Sequence, residues 1–242
     1  MLLLIFQQCI KFLTLPIHVL AYFGLWDPIC KKIFPFFMLA SSKIYNIRMH
    51  KKKETLFKNL RDFADDSGKL HLLEIGVGSG TNFQFYPPNS QITCMDYNPN
   101  FRNFLLKSMA QNTHLQFKNF VVGSTENISS VPDGSVDVVV STLVLCSVKN
   151  TQAVLKEVLR VLRPGGVYCF MEHVAADRST WTYFWQQVCN STWKYVGDGC
   201  SLLREPWKDL ENAGFSKLNL QHIIAPMFIH LIWPHIYGYG VK

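Results

Sequence analysis

An apolar run that ends in three glycines at a spacing of two limits this chain more than any other feature. It reads "HLLEIGVGSG" from His71 to Gly80. A buried strand passing straight into such a turn lets backbone come close to a ligand, because glycine accepts conformations that a Cβ forbids. Two common ligands are disfavoured at once. The dinucleotide fingerprint needs glycine at 81, where Thr81 stands, and a Walker-type phosphate loop with its GK[ST] ending is missing.

The elements around the turn alternate. "LHLLEIG", "QITCMDY", "LQFKNFVVG", "SVDVVVSTLVL" and "VYCFMEHV" read as strands. "TLFKNLRDFADDSG", ending at Gly68, "FRNFLLKSMAQN" and "TQAVLKEVLRVLRPGG" read as helices, the last stopped by Pro164 and turned by Gly165 and Gly166. Apolar strands alternating with helices predict an α/β fold, a doubly wound, mostly parallel sheet covered on both faces.

Two carboxylates frame the glycines. Glu74, at the end of the strand, would repel a pyrophosphate but can accept hydrogen bonds from a cationic amine, directly or through water. Asp96 closes the next strand, where doubly wound folds place an acceptor for two ribose hydroxyls. A ligand with an amino-acid head and a ribose but no phosphate meets both demands, and S-adenosylmethionine is such a ligand. The alternatives are a solvated strand-end acid at Glu74 and a turn-forming Asp96 before Asn98-Pro99.

The first 40 residues differ from the rest. "MLLLIFQQCIKFLTLPIHVLAYFGLWDPIC" carries Lys11 as its only basic residue, and "IFPFFMLA" follows after Lys31 and Lys32. The uncharged run from Phe12 to Trp26 is shorter than the roughly 20 residues of a spanning helix, and Pro16 interrupts it. A membrane-embedded hairpin or in-plane anchor is expected, with a helix packed on the domain's own core as the alternative. Lys43, Arg48, His50, Lys51, Lys52 and Lys53 come next. They suit an anionic, cytosol-facing leaflet, or else a solvated helix face. The expected division is an anchor at 1–40, a basic linker and leading helix at 41–69, and a catalytic domain at 70–242.

A net charge of +7 would also suit nucleic acid, but no recognition module or interleaved aromatic-basic motif is present, so no nucleic-acid partner is expected. Seven scattered cysteines in no CxxC or Cys/His pattern predict reduced thiols and no metal. Asn127 and Asn190 lie in glycosylation sequons, which matter only if the domain is lumenal.

The segments "LLEIGVGSG", "CMDYNPN", "PDGSVDVVVSTLVLCSV" and "VLRVLRPGG" resemble the successive motifs of class I S-adenosylmethionine-dependent methyltransferases. With the apolar N-terminus, "NFQFYPP", "EHVA", "WQQV", "GDGC" and "WKDLENAGF", nearly the whole chain resembles the methyltransferase-like family of microsomal and lipid-droplet thiol S-methyltransferases. That resemblance implies a seven-stranded, Rossmann-like sheet and cofactor contacts from Glu74, Gly76, Gly78, Gly80, Asp96, Tyr97, Ser124, Thr125 and Leu143. It also implies methyl transfer to small lipophilic thiols and hydrogen sulfide. The site would be the cytosolic face of endoplasmic reticulum and lipid droplets, and the chain a monomer. Where the superfamily often has an acid for the adenine amine, "GSTEN" places Ser124, with Glu126 two residues on.

Methyl transfer from a sulfonium needs alignment more than acid–base help. The acceptor wall is expected from Leu143–Cys146, from Glu172 and His173, and from the aromatic segment 174–205, read either as core or as a lid. His173 is the candidate base, or a hydrogen-bonded strand-end histidine. Asp198 either fixes a cap over the site or makes a turn. Two other readings stay open: a dehydrogenase, and a membrane scaffold with a vestigial cofactor site.

Overall fold

The computed structural model describes residues 1–65 and 67–242. The strands are β1 (His71–Ile75), β2 (Gln91–Asp96), β3 (Gln116–Val122), β4 (Val136–Thr142), β5 (Leu162–His173), β6 (Lys217–Ile224) and β7 (Pro234–Val241). They form one sheet in the order β3-β2-β1-β4-β5-β7-β6. β1 to β5 run parallel, and β7 lies antiparallel between β5 and β6. The sheet is therefore mixed. β4, "VDVVVST", is buried from Val136 to Ser141, as β-branched residues covered on both faces should be.

Helices cover both faces: α4 (Arg102–Gln111), α5 (Thr151–Val161), α6 (Trp181–Val196) and α7 (Pro206–Asn212) follow three N-terminal ones. In α5 the Asn150 side chain caps the start by accepting from the Ala153 N–H at 3.1 Å. Val154, Leu155, Val158 and Val161 face one apolar cluster with Leu73, Ile75 and Val139. The opposite face buries Leu72, Ile92, Val138 and Val140 under Leu105 and Phe57. α5 stops at Val161, before Pro164, and β5 begins at once at Leu162. The Arg163–Gly166 stretch interrupts the β4–β5 register instead of ending the helix, with Gly165 at φ +74°.

The N-terminal helices are α1 (Leu2–Leu13), α2 (Leu15–Tyr22) and α3 (Trp26–Phe57). The chain breaks at Thr14, Pro16 sits in the first turn of α2, and the two helices meet at a 76° bend. No single helix among the described residues is long and apolar enough to cross a membrane. α3 runs unbroken for 32 residues, straight through the boundary expected at 40/41. It ends at Phe57, and a short helical turn, Leu60–Phe63, replaces the remainder of the helix expected up to Gly68. Asp66, within that expectation, lies outside the described residues.

α1 and α2 lie along α6. Gln7 Nε2 donates to the Gln187 carbonyl at 3.1 Å, and the Thr14 hydroxyl and His18 Nε2 each lie 3.1 Å from the Thr192 hydroxyl. Phe6 packs edge-on against Phe184 and Trp185. The aromatic side of α6, expected as core or lid, is thus used partly as a seat for α1. Neither α1 nor α2 buries a single residue fully.

Candidate active site

The glycine turn leaves β1 with Gly76, Gly78 and Gly80 all left-handed, at φ +62°, +53° and +75°. A Cβ at Gly76 would run into Val144, and one at Gly80 into the Phe83 ring. At Gly78 the nearest atom to such a Cβ is 3.7 Å away, so it is the backbone conformation that asks for glycine there. Asp96 pins this turn from below. Its Oδ2 accepts the Gly78 N–H and its Oδ1 the Asn98 N–H, each at 2.9 Å. Asp96 is buried, and burial raises its carboxyl to about 6 against the pull of these amides.

Glu74 is buried too, with both oxygens engaged. Asn82 Nδ2 donates to Oε1 and the Tyr86 hydroxyl to Oε2, each at 2.8 Å. Burial outweighs these bonds and lifts its pKa to about 7. The same Asn82 accepts from Lys53 Nζ at 2.7 Å and donates to the Thr142 hydroxyl at 3.0 Å. Lys53 therefore does not lie with the exposed Lys51 and Lys52. It is fully buried at the end of α3 and reaches the cofactor turn, a role that sequence spacing did not reveal. An adjacent bond from Asn46 Nδ2 to the Thr81 carbonyl, 2.7 Å, fastens α3 to the turn a second time.

The other expected cofactor residues spread along the strand ends. Tyr97 is half-exposed, and its hydroxyl donates to the Asp198 carbonyl at 3.3 Å. Thr125 is buried, whereas the exposed Ser124 hydroxyl donates to Glu126 Oε2 at 3.0 Å. Glu126 is drawn away toward the start of α5, accepting the Asn150 N–H at 2.7 Å. Leu143, at φ +60°, begins the loop after β4.

Glu172 holds that loop and is not part of an open acceptor wall. Its Oε2 accepts the Val144 and Leu145 N–H groups at 2.8 and 2.9 Å, and its Oε1 the Ser141 hydroxyl at 2.6 Å. Full burial pushes its carboxyl up to about 8. His173, next along β5, is buried at the strand end. Its Nδ1 lies 3.8 Å from Cys200 Sγ, and its buried Nε2 has no partner among the described residues. Cys146 completes the group, with one ligand atom from each of the three residues within 4.8 Å of the others. Such a group could bridge a soft cation, and its members are too far apart in sequence for spacing to show it. His235 of β7 stands beside His173, ring centroids 6.0 Å apart, and Tyr45 of α3 beside His235 at 5.7 Å. The Tyr45 hydroxyl and His235 Nε2 are also buried without partners, and Met171, Met227 and Leu143 supply apolar surroundings. Asp198 sits between two glycines at φ +49° and makes no hydrogen bond to His173, so of the two catalytic candidates only His173 joins this cluster.

These residues fit S-adenosylmethionine. The turn presents its backbone with only the Phe101 ring near Gly78, a carboxylate lies under each flank, and apolar side chains with a buried imidazole stand at the ends of β4 and β5. When bound, that cofactor supplies an electrophilic methyl group on a sulfonium.

Comparison with known proteins agrees. A methyltransferase-domain family model matches residues 73–170. Among solved structures, a possible histamine N-methyltransferase from Thermotoga maritima shares 16% identity at a TM-score of 0.55, covering 88% of this chain and 99% of its own, a likeness of fold alone. Homo sapiens thiol S-methyltransferase TMT1B is 50% identical over 98% of this chain and 97% of its own length. Homo sapiens thiol S-methyltransferase TMT1A is 61% identical over 92% of this chain and 91% of its own. The glycine turn, the Asp96 clamp and this full-length similarity lead to one conclusion: the chain is an S-adenosylmethionine-dependent methyltransferase of the thiol S-methyltransferase family.

Proposed function

We propose that the chain transfers the methyl group of S-adenosylmethionine to the sulfur of small lipophilic thiols, hydrogen sulfide included. The observation that carries this reading is the buried, unpartnered Nε2 of His173 at the strand end, in a family whose named members act on thiols. His173 Nε2 accepts the thiol proton. The sulfur so freed would accept the methyl group that bound S-adenosylmethionine would supply, the cofactor keeping the electron pair of the bond it gives up. Preorganisation does the rest: Glu172 fixes the Val144–Leu145 loop and Asp96 fixes the glycine turn. Asp198 acts on the cofactor side, holding Tyr97 through its carbonyl.

The enzyme works as a monomer at a membrane or lipid-droplet surface, on the endoplasmic reticulum, with its sheet domain in the cytosol. Support comes from the outward apolar side chains of the N-terminal helices, among them Leu4, Phe12, Tyr22 and Phe36, all more than half exposed. On that cytosolic side neither the Asn127 nor the Asn190 sequon should carry a glycan.

The deciding experiment offers the purified chain a small apolar thiol and its alcohol counterpart and reads product mass. The thiol should gain one methyl and the alcohol none, since a thiol has a reference pKa near 8.5 and an alkanol is far less acidic. Equal methylation of both would reject the thiol reading.

A further inference from the structure

Lys53 is the one lysine buried completely among the described residues, and no carboxylate pairs with it there. Its Nζ donates to two neutral amide oxygens, Asn46 Oδ1 at 2.6 Å and Asn82 Oδ1 at 2.7 Å. An ammonium has three N–H donors, so one remains. The faces of Tyr45 and Phe85, 5.1 and 5.8 Å from Nζ, favour the cation but give it no counter-ion. Burying a charge without an opposite charge is strongly unfavourable. Burial lowers this ammonium to about 7 against the attraction of Glu74, which reaches it only across the shared Asn82 amide.

The location indicates which anion is missing. Asn82 is shared: its Oδ1 accepts from Lys53 and its Nδ2 donates to Glu74. One side of this amide thus carries an acid and the other a base, next to the turn where the amino-acid end of the cofactor belongs. That end is a zwitterion, with an ammonium for Glu74 and a carboxylate that no other residue described above receives.

We propose that Lys53 binds the α-carboxylate of S-adenosylmethionine, so that α3, the helix continuous with the apolar N-terminal segment, completes the cofactor site. The inference rests on the cofactor and is independent of the thiol as acceptor. It adds a ligand contact from outside the glycine motif, and it makes the amino-acid end of the site depend on α3 staying seated.

The test uses the full-length protein in detergent and calorimetric binding of two probes, S-adenosylmethionine and its decarboxylated analogue. Wild type should bind the carboxylated compound roughly 10- to 100-fold more tightly, the scale of a hydrogen bond to a charged group. Lys53→Met should lose that preference, with affinity for the decarboxylated compound little changed. Lys53→Arg should keep much of it. The wild-type comparison needs no variant, so the proposal stays testable if Lys53→Met fails to fold. Equal binding of the two probes by wild type would overturn the proposal. So would an equal loss for both probes in Lys53→Met, which would make Lys53 a support for Asn82 only. Failure of wild type to bind either probe would remove the cofactor itself, a different result from lost discrimination.

Discussion

The sheet and the N-terminal helices use the same kinds of residue in opposite ways. In the sheet domain Leu72, Leu73, Ile75, Val138 and Val139 are hidden between covering helices. In α1 and α2 no residue is fully buried, and Leu4, Ile5, Phe12, Leu13, Tyr22 and Phe23 are left outside. α1 sits on α6 through one edge only, so its own packing does not account for its composition. The lesson is that hydrophobicity alone does not say what a segment packs against. α3 joins the two regimes within one helix: Phe36 and Phe37 point outward, while Tyr45, Met49, Lys53 and Phe57 are buried against the catalytic domain.

The largest effect should come from removing the outward-facing region. Deleting residues 1–28 should move most of the protein from the membrane pellet to the soluble fraction, while a high-salt wash of the full chain should not. Salt screens Lys51 and Lys52 but leaves apolar insertion intact. Release by salt alone would erase the contrast between the two regions.

Within the sheet domain, His173→Ala should lower turnover at pH 7 by up to about 10²–10⁴-fold. The deficit should shrink as pH rises through the thiol's own pKa, because the substrate then ionises unaided. A deficit constant with pH would make His173 structural.

A smaller loss is expected from Asp96→Ala. This removes the grip on Gly78 together with the ribose acceptor expected from the sequence, so cofactor affinity should fall by about 2–3 kcal/mol. Because Asp96 is buried, the melting temperature should drop as well. Calorimetric affinity within twofold of wild type would refute the assignment.

The last effect concerns stability alone and leaves catalysis aside. Burial raises the folded Glu172 carboxyl from the ordinary 4.5 to about 8, and below that its proton sits on Oε1, reversing the bond so that Glu172 donates to Ser141 and Ser141 to Tyr168. Its contribution is therefore fully present below about pH 4.5 and is lost as pH rises through about 8. Glu172→Gln can keep the geometry: one oxygen accepts both backbone amides and the NH₂ faces Ser141. Relative to wild type, this variant should gain stability between pH 5 and 8.5 in urea unfolding. A constant difference across that range would show that the proton is not held.

The glycine turn was legible because its signals are local. Gly76, Gly78, Gly80 and Asp96 sit at strand ends that hydrophobic pattern alone can place, and their spacing carries the chemistry. The acceptor half was legible only as three segments, since Cys146, His173 and Cys200 come from the loop after β4, the end of β5 and the stretch after α6, and their meeting in one cluster is a product of the fold. Lys53 was read as a surface charge because its neighbours Lys51 and Lys52 are exposed, and only packing against Asn82 distinguishes it. The α5 boundary failed for a related reason: β5 takes Leu162 into its ladder before Pro164 could act as a stop.

The placement of β7 has a consequence for how the chain is made. It is the last strand in sequence, yet it lies between β5 and β6, which do not pair with each other. While a ribosome is still adding residues 234–241, β6 has no partner, and the sheet stops at β5 with an open edge. The N-terminal helices are made before the sheet, and the sheet closes only when β7 inserts between β5 and β6, so the catalytic domain is the part of this chain that is completed last.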